Sequence, residues 1–305
     1  MATVSILLTC YNHLAYLPAC VQGIKGQTYT DYEIIAIDDG STDGTREWLD
    51  KNLSEARVIF NATNKGTYAT LNVGLREAKG EYVAILNDDD LWAPEKLAKQ
   101  IALFASHPSL GLVHTDGHFI DGEGNRMEGS PLGFEFPRTE TGDVLLSLLY
   151  QNKIIASGAL VRKACFDELG GFNESYFGSG DWEMWLRIAE KYQIGYVDEP
   201  LTFYRVHGEN ASHMLERIWR DDEMLREWIR TRYYHYAKQR REGYELKRAM
   251  AHNEACLGTV KVLNGKPAEG REAYRNSLKL EPLRLKSYLR FWASFLPRAA
   301  FRKLK

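Results

Sequence analysis

Three stretches of this sequence hold side chains whose types and spacing can do chemistry. The first is Asn87-Asp88-Asp89-Asp90, where three adjacent carboxylates close the apolar run 82–86. Neighbouring carboxylates repel one another unless a cation or solvent offsets their charge. Oxygen ligands of this kind suit a hard divalent ion, Mn²⁺ or Mg²⁺, commonly shared with substrate phosphates. The plainer reading is a solvated acidic turn entering a helix, whose dipole favours acids. The second stretch is Asp38-Asp39-Gly40-Ser41-Thr42-Asp43. Its carboxylates can accept from a ring N–H and from ribose hydroxyls, and it is equally common turn and N-cap chemistry. The third is Gly178-Ser179-Gly180-Asp181-Trp182-Glu183, an acid opening a helix. Asp181 there stands at a helix N-terminus, where the dipole stabilises its carboxylate, and its plain reading is an N-cap. Trp182 and Trp185 offer indole faces suited to sugar rings, and three-residue spacing equally suits a core face.

These groups hang on a regular alternation of elements. Apolar runs at 4–9, 32–37, 58–60 and 82–86 read as buried strands. Helical spacing at 14–24, 44–52, 68–78 and 95–104 separates or follows them. Strands alternating with helices imply a mainly parallel sheet with right-handed crossovers. The acids then stand at the carboxyl ends of strands, where open α/β sheets bind ligands. Thr9-Cys10-Tyr11-Asn12 follows the first strand, where a dinucleotide fold would carry Gly-x-Gly-x-x-Gly; the P-loop signature is missing too. Dehydrogenase and ATPase readings therefore fall away. Beyond, 111–116 and 154–161 read as strands and 142–150, 163–169 and 181–191 as helices, while 196–198 and 201–205 flank Glu199-Pro200 and lead into 206–212. The Gly- and Pro-rich span 117–141 is either a lid or a surface insertion. From 214 onward the texture turns to long charged helices at 216–236, 244–264 and 268–280.

Composition sets wider bounds. A chain of 305 residues, 44% hydrophobic and 26% charged, is globular and long enough for a sizeable core. A net charge of −2 gives no global attraction to nucleic acid. Cys10, Cys20, Cys165 and Cys256 form no C-x-x-C pair, which argues against a zinc ribbon or disulfide framework. The absence of a basic n-region, a cleavage site or a 20-residue apolar span predicts a cytoplasmic protein.

In order along the chain stand Thr9-x-Tyr11-Asn12, Gln27-Thr28-Tyr29, Asp38-Asp39-Gly40-Ser41-Thr42-Asp43, Asn64-x-Gly66 with Asn72, Gly80-Glu81-Tyr82, and Asn87-Asp88-Asp89-Asp90-x-Trp92-x-Pro94. This series resembles glycosyltransferase family 2, the inverting sugar-nucleotide enzymes with the GT-A fold, over roughly residues 1–212. The resemblance implies a nucleoside diphosphate sugar donor, a UDP-sugar foremost, a divalent metal (Mn²⁺ or Mg²⁺), and a glycan or lipid-linked acceptor. By position, Thr9, Tyr11 and Asp39 correspond to base and ribose contacts. Asn12, Asp38, Asn64, Asn72 and Asp88 fall on the nucleotide-sugar side, and Asp89 matches the metal-binding acid of D-x-D. Asp181 matches the family's catalytic base, with Trp182 and Glu183 on the acceptor side. In Tyr204-Arg205-x-His207-x-x-Asn210-x-Ser212, His207 matches a residue that helps bind metal or diphosphate, while Arg205 can balance phosphate charge. Two positions depart from the pattern: Asn87 replaces the first Asp of D-x-D-D, and Gly180 stands where an acid is frequent. The implied domains are a catalytic 1–213, split into a donor half 1–106 and an acceptor half 107–213, and a helical 214–305. Two rivals remain open: a catalytically silent sugar-nucleotide or glycan binder, and a nucleotidyltransferase, whose usual Gly-rich basic loop is missing.

The tail has its own character. After Glu281 there is no acid, while Arg284, Lys286, Arg290, Arg298, Arg302, Lys303 and Lys305 are basic. Leu285, Leu289, Trp292, Phe295 and Leu296 share one helical face. A basic amphipathic helix of 284–305 either contacts the membrane peripherally or docks its apolar face on the protein.

Overall fold

The computed structural model describes residues 2–129, 131–210, 213–239 and 243–303. Ser212 of the histidine motif and Lys305 of the basic tail lie outside the described residues. The chain forms two compact units. The first comprises Met1–Leu145, Asn152–Tyr176 and Gly180–Asn210; the second comprises Leu146–Gln151, Phe177–Ser179 and Ala211–Lys305.

In chain order the elements are β1 (Val4–Cys10), α1 (Leu17–Lys25), β2 (Tyr32–Asp38), α2 (Thr45–Asn52), β3 (Arg57–Phe60), α3 (Thr67–Glu77), β4 (Tyr82–Asn87), β5 (Leu91–Trp92) and α4 (Lys96–Ser106). Then come β6 (Leu110–Ile120), α5 (Leu145–Tyr150), β7 (Leu160–Arg162), α6 (Lys163–Leu169), α7 (Gly180–Ala189) and β8 (Gln193–Arg205). The eight strands form one sheet in the order β3-β2-β1-β4-β7-β6-β8-β5. The first four pair in parallel, β7 inserts antiparallel, and β6 and β8 pair in parallel again. This is the expected α/β sheet of GT-A type, largely parallel and flanked by helices.

β1 is buried along its whole length. Val4, Ile6, Leu8 and Cys10 share an apolar cluster with Leu17, Val21 and Ile24 of α1 and Leu97 and Phe104 of α4. On the other side, Leu7 and Ile37 pack against Gly74 of α3. A strand covered on both faces must read as an unbroken apolar run, which is why β1, β2 and β4 were legible.

Two stretches differ from the sequence reading. The run 154–161 was expected to be a strand, but Ala156–Gly158 is a 3₁₀ turn and only Leu160–Arg162 pairs. Ser157 is the cause: its hydroxyl accepts from the Asn87 N–H at 3.2 Å and donates to Asp90, and its carbonyl takes the Trp92 indole N–H at 2.6 Å. β6 runs on to Ile120, and β8 continues through Glu199 and Pro200, with register shifts beside Thr115 and Asp116. Proline lacks the ladder N–H, so the irregularity falls where it enters.

The second unit holds α8 (Leu215–Gln239), α9 (Tyr244–Leu263), α10 (Pro267–Leu280), α11 (Leu285–Ala293) and α12 (Arg298–Arg302), with the short segments 146–151 and 177–179. Arg230 of α8 makes a two-pronged contact with the buried Glu254 of α9, at 2.6 and 2.7 Å. Asp221 of α8 accepts the successive N–H groups of Phe177, Gly178 and Ser179 through one carboxylate oxygen.

Candidate active site

Strand register assembles the site. β1 and β4 place Thr9 beside Asn87, and β1 and β2 place Cys10 beside Asp38. Tyr11, Asp39 and Asp88 therefore leave the sheet together at its carboxyl ends. Thr9 Oγ1 donates to Asn87 Oδ1 at 3.1 Å, joining the two strand ends.

The three acids of the turn diverge. Buried Asp88 accepts the Tyr11 N–H at 3.0 Å and meets His13 Nδ1 at 2.9 Å. Asp89 Oδ2 meets His207 Nε2 at 3.0 Å and Asn210 Nδ2 at 3.4 Å. Asp90 turns away, fully buried against the Ser157 hydroxyl and the Arg205 N–H, and burial pushes it well above the usual carboxylate range. The rings of His13 and His207 meet edge to face, 5.0 Å apart. Ligand atoms of His13, Asp88 and Asp89 lie within 4.8 Å of one another, as do those of His13, His207 and Glu209. Burial works against protonation of His13, but the hydrogen bond and charge of Asp88 outweigh it and raise His13 to about 9. Asn210 stood in the histidine motif with no role of its own, and His13 and Glu209 were not singled out from the sequence; only the β1–β4 pairing puts His13 opposite Asp88.

Arg205 was expected to balance phosphate charge. Instead its Nε donates to the Asp89 carbonyl at 2.7 Å and its Nη1 to the carbonyls of Asp121 and Gly122, both at 2.9 Å. Stacked on Tyr16 at 4.7 Å, it props the acidic turn from behind.

On the expected nucleotide side, Tyr11 exposes 43% of its surface, a free aromatic face beside Asp88. Asn12 takes a positive φ of 56°, with its Oδ1 accepting the Thr42 N–H at 2.8 Å. Asp38 is fully buried and caps the turn by accepting from the N–H groups of Gly40 and Ser41. Asp39 accepts from Asn61 Nδ2 and the N–H groups of Lys65 and Gly66, at 2.8, 2.9 and 2.9 Å. Gly66 meets it at φ 89°, a conformation that favours glycine. Asn64 is exposed and accepts the same Gly66 N–H at 3.1 Å. Asn72 is fully engaged elsewhere: its amide bonds both the N–H and the C=O of Phe172, at 2.9 Å each, and Glu174 at 2.8 Å. Asp38 and Asn72 thus have structural partners in place of an open face.

Asp181 lies inside the first turn of α7, not at its cap. Its Oδ1 accepts the Trp182 N–H at 2.7 Å and the Tyr68 hydroxyl at 3.4 Å, and its Oδ2 accepts Asn152 Nδ2 at 3.1 Å. Burial raises its pKa from 3.8 to about 6, against the pull of these donors. Gly180 explains one departure from the family pattern: a Cβ there would sit 2.8 Å from the Tyr68 ring. Any side chain at Gly180 would push away the tyrosine that touches Asp181. Trp182 and Glu183 do not present the open acceptor face expected of them. Trp182 is buried, and Glu183 is buried in an ion pair with Arg187 at 2.8 Å. Trp185 is core, edge-on to Phe172.

Residues 5–170 match the family described as Glycosyl transferase family 2. A chondroitin synthase of Escherichia coli is 30% identical over 218 residues, covering 68% of this chain and 30% of that protein. An uncharacterised glycosyltransferase of Nostoc sp. is 28% identical over 226 residues, covering 69% of this chain and 66% of that one. The chain thus spans less than two thirds of either relative. Among solved structures, Staphylococcus aureus TarS 1–349 superposes with a TM-score of 0.67 at 16% identity, covering 99% of this chain and 92% of that one. The mannosyltransferase PcManGT of Pyrobaculum calidifontis, in complex with GDP-Man and Mn²⁺, gives 0.59 at 18% identity, covering 99% and 86%. At these identities the structural likeness speaks for the fold, while the family match covers more than half of the chain. The chain belongs to glycosyl transferase family 2.

Proposed function

We propose that this protein is a metal-dependent, inverting glycosyltransferase. It would move a sugar from a nucleoside diphosphate sugar, a UDP-sugar foremost, to a hydroxyl of a glycan or lipid-linked acceptor. The observation that carries the reading is the convergence of His13, Asp88, Asp89 and His207 at the carboxyl ends of β1 and β4. Structures of TarS in complex with UDP and with UDP-GlcNAc, and of PcManGT with GDP-Man and Mn²⁺, support the donor class.

His13 with Asp88 and Asp89, and His13 with His207 and Glu209, are two sets whose ligand atoms lie close enough together to hold a divalent cation, and nitrogen donors suit Mn²⁺ better than the oxygen-preferring Mg²⁺. Asp89 and His207 would hold the ion, with Asp88 and His13 beside it. Such an ion offsets the negative charge that grows on the departing diphosphate. Tyr11 offers a stacking face for the base, and the remaining acceptor capacity of Asp39 faces ring N–H or ribose hydroxyl. On the acceptor side, the Asp181 carboxylate takes the proton as the hydroxyl oxygen bonds to the anomeric carbon. The bond from that carbon to the phosphate oxygen breaks, and its electron pair leaves with the diphosphate. With a pKa near 6, Asp181 is roughly nine-tenths ionised at pH 7, yet more basic than an ordinary aspartate. Asn152 and Tyr68 hold it in one orientation. One displacement of this kind needs no nucleophilic side chain, so the anomeric configuration inverts.

The test is proton NMR of α-linked UDP- and GDP-sugars incubated with the protein and Mn²⁺. The β-anomer should appear first, either transferred or released to water. First appearance of the α-anomer would refute inversion, and nucleotide binding without any turnover would favour the silent binder.

A further inference from the structure

The end of the second unit carries an apolar surface with a charge pattern of its own. Leu285, Leu289, Trp292 and Phe295 expose between 60% and 73% of their surface. Helical spacing puts the first three on one stripe along α11, with Phe295 just beyond its end. This helix is not loose. Its opposite side is pinned where the Ser287 hydroxyl meets that of Ser277 on α10 at 2.9 Å, and Ser277 donates to the Ala251 carbonyl at 2.7 Å. The helix packs on its own unit through Ser287 and Phe291, not through the apolar stripe that one reading of the sequence expected to dock. The apolar stripe faces outward.

Cations border that stripe on both sides. Lys286 and Arg290 follow one edge of α11. On the other, Arg271 of α10 lies 4.4 Å over the Phe295 ring and Arg275 lies 5.3 Å over Phe291. Arg298, Arg302 and Lys303 continue the basic character, and no acid occurs from Pro282 to Lys303. No helix among the described residues is long and apolar enough to cross a membrane.

We propose that this face lies in the interface of an anionic lipid bilayer, α11 parallel to the surface. Leucine side chains with Trp and Phe suit the boundary between headgroups and acyl chains, and the flanking cations reach lipid phosphates. Charge decides against a second copy as occupant: a symmetric partner would set its own row of cations against this one. The inference is independent of which sugar is moved, and of whether one is moved at all.

The experiment is flotation of the full-length chain with vesicles of phosphatidylcholine alone or with about 30% phosphatidylglycerol. Binding should require the anionic lipid and weaken as salt rises. Leu289→Glu with Trp292→Glu should weaken it at least about tenfold, as should Lys286→Glu with Arg290→Glu. Leu289, Trp292 and Lys286 are exposed and Arg290 is half-buried, so circular dichroism and the thermal midpoint of each double variant are compared with the parent, and Lys286→Glu alone repeats the charge test without touching a half-buried side chain. Three results would overturn the proposal: no flotation with anionic vesicles; flotation unchanged in both variants; or a dimer in sedimentation velocity that Leu289→Glu dissolves, which would assign the face to a second copy.

Discussion

Replacing Asp181 with asparagine separates a proton acceptor from a structural acid. The substitution keeps size and shape, and the Trp182 N–H retains an oxygen to donate to. What disappears is the ability to take a proton, worth about 10²–10⁴-fold in rate for a positioned general base. Stability should move the other way. Holding a carboxylate whose pKa is raised from 3.8 to about 6 costs the folded state at most ~3 kcal/mol at neutral pH. Asparagine removes that cost but turns an amide N–H₂ toward Asn152 Nδ2, a donor facing a donor, at about 1–3 kcal/mol. The net change should fall between ~0 and ~2 kcal/mol in favour of the variant. Its pH dependence has a definite sign. Between pH 4 and 6 the folded protein holds more protons at this site than the unfolded chain, so this contribution to wild-type stability falls as pH rises. The variant lacks that slope. The assay is donor turnover with Mn²⁺, alongside thermal unfolding of both proteins at pH 5 and pH 7.5. Wild-type kcat should fall on acidification with an inflection near 6. A variant with near-normal kcat and reduced stability would refute the reasoning and leave Asp181 a structural acid.

Other expectations follow from single contacts. Asp221→Ala should destabilise the second unit by about 1–3 kcal/mol in urea unfolding, because three N–H groups of 177–179 lose their shared acceptor. Asp221→Asn should recover most of that loss by keeping one oxygen. Gly180→Ala should lower kcat at little cost to donor affinity, since the added methyl displaces Tyr68 from Asp181; unchanged kcat would mean that Tyr68 does not position the base. Lys96 is fully buried, bonded to Gln100 and set over the Trp92 ring, and burial lowers its pKa well below the ordinary value. The unfolded chain then binds the extra proton, so wild-type stability should gain on Lys96→Met as pH rises from 7 toward 10. Denaturant midpoints across that range check the sign.

Much of the fold was legible because β1, β2 and β4 are buried on both faces and their sequences say so. The run 154–161 looked equally apolar. It failed as a strand because Ser157 is claimed by Asn87, Asp90 and Trp92, contacts 65 to 70 residues away that local pattern cannot express. The acid cluster was visible as a cluster, but the sequence could not say which way each carboxylate turns. Asp88 and Asp89 meet histidines, while Asp90 folds into the core under Arg205. His13 carried no signal of its own; it matters because parallel pairing lays the end of β1 beside that of β4. Trp182 and Trp185 were ambiguous between sugar platform and core, and burial of both decided the geometry. The composition change near 214 was plain, whereas the two short segments that the helical unit takes from the middle of the chain were not.

The most direct test of the account is calorimetric titration of UDP and GDP into the protein with and without Mn²⁺, for the wild type, Asp89→Ala and Asp181→Asn. The account predicts Mn²⁺-dependent binding of one nucleotide, weakened at least about tenfold (~1.4 kcal/mol) in Asp89→Ala and preserved in Asp181→Asn. Equal binding without the metal, or binding untouched by Asp89→Ala, would contradict it.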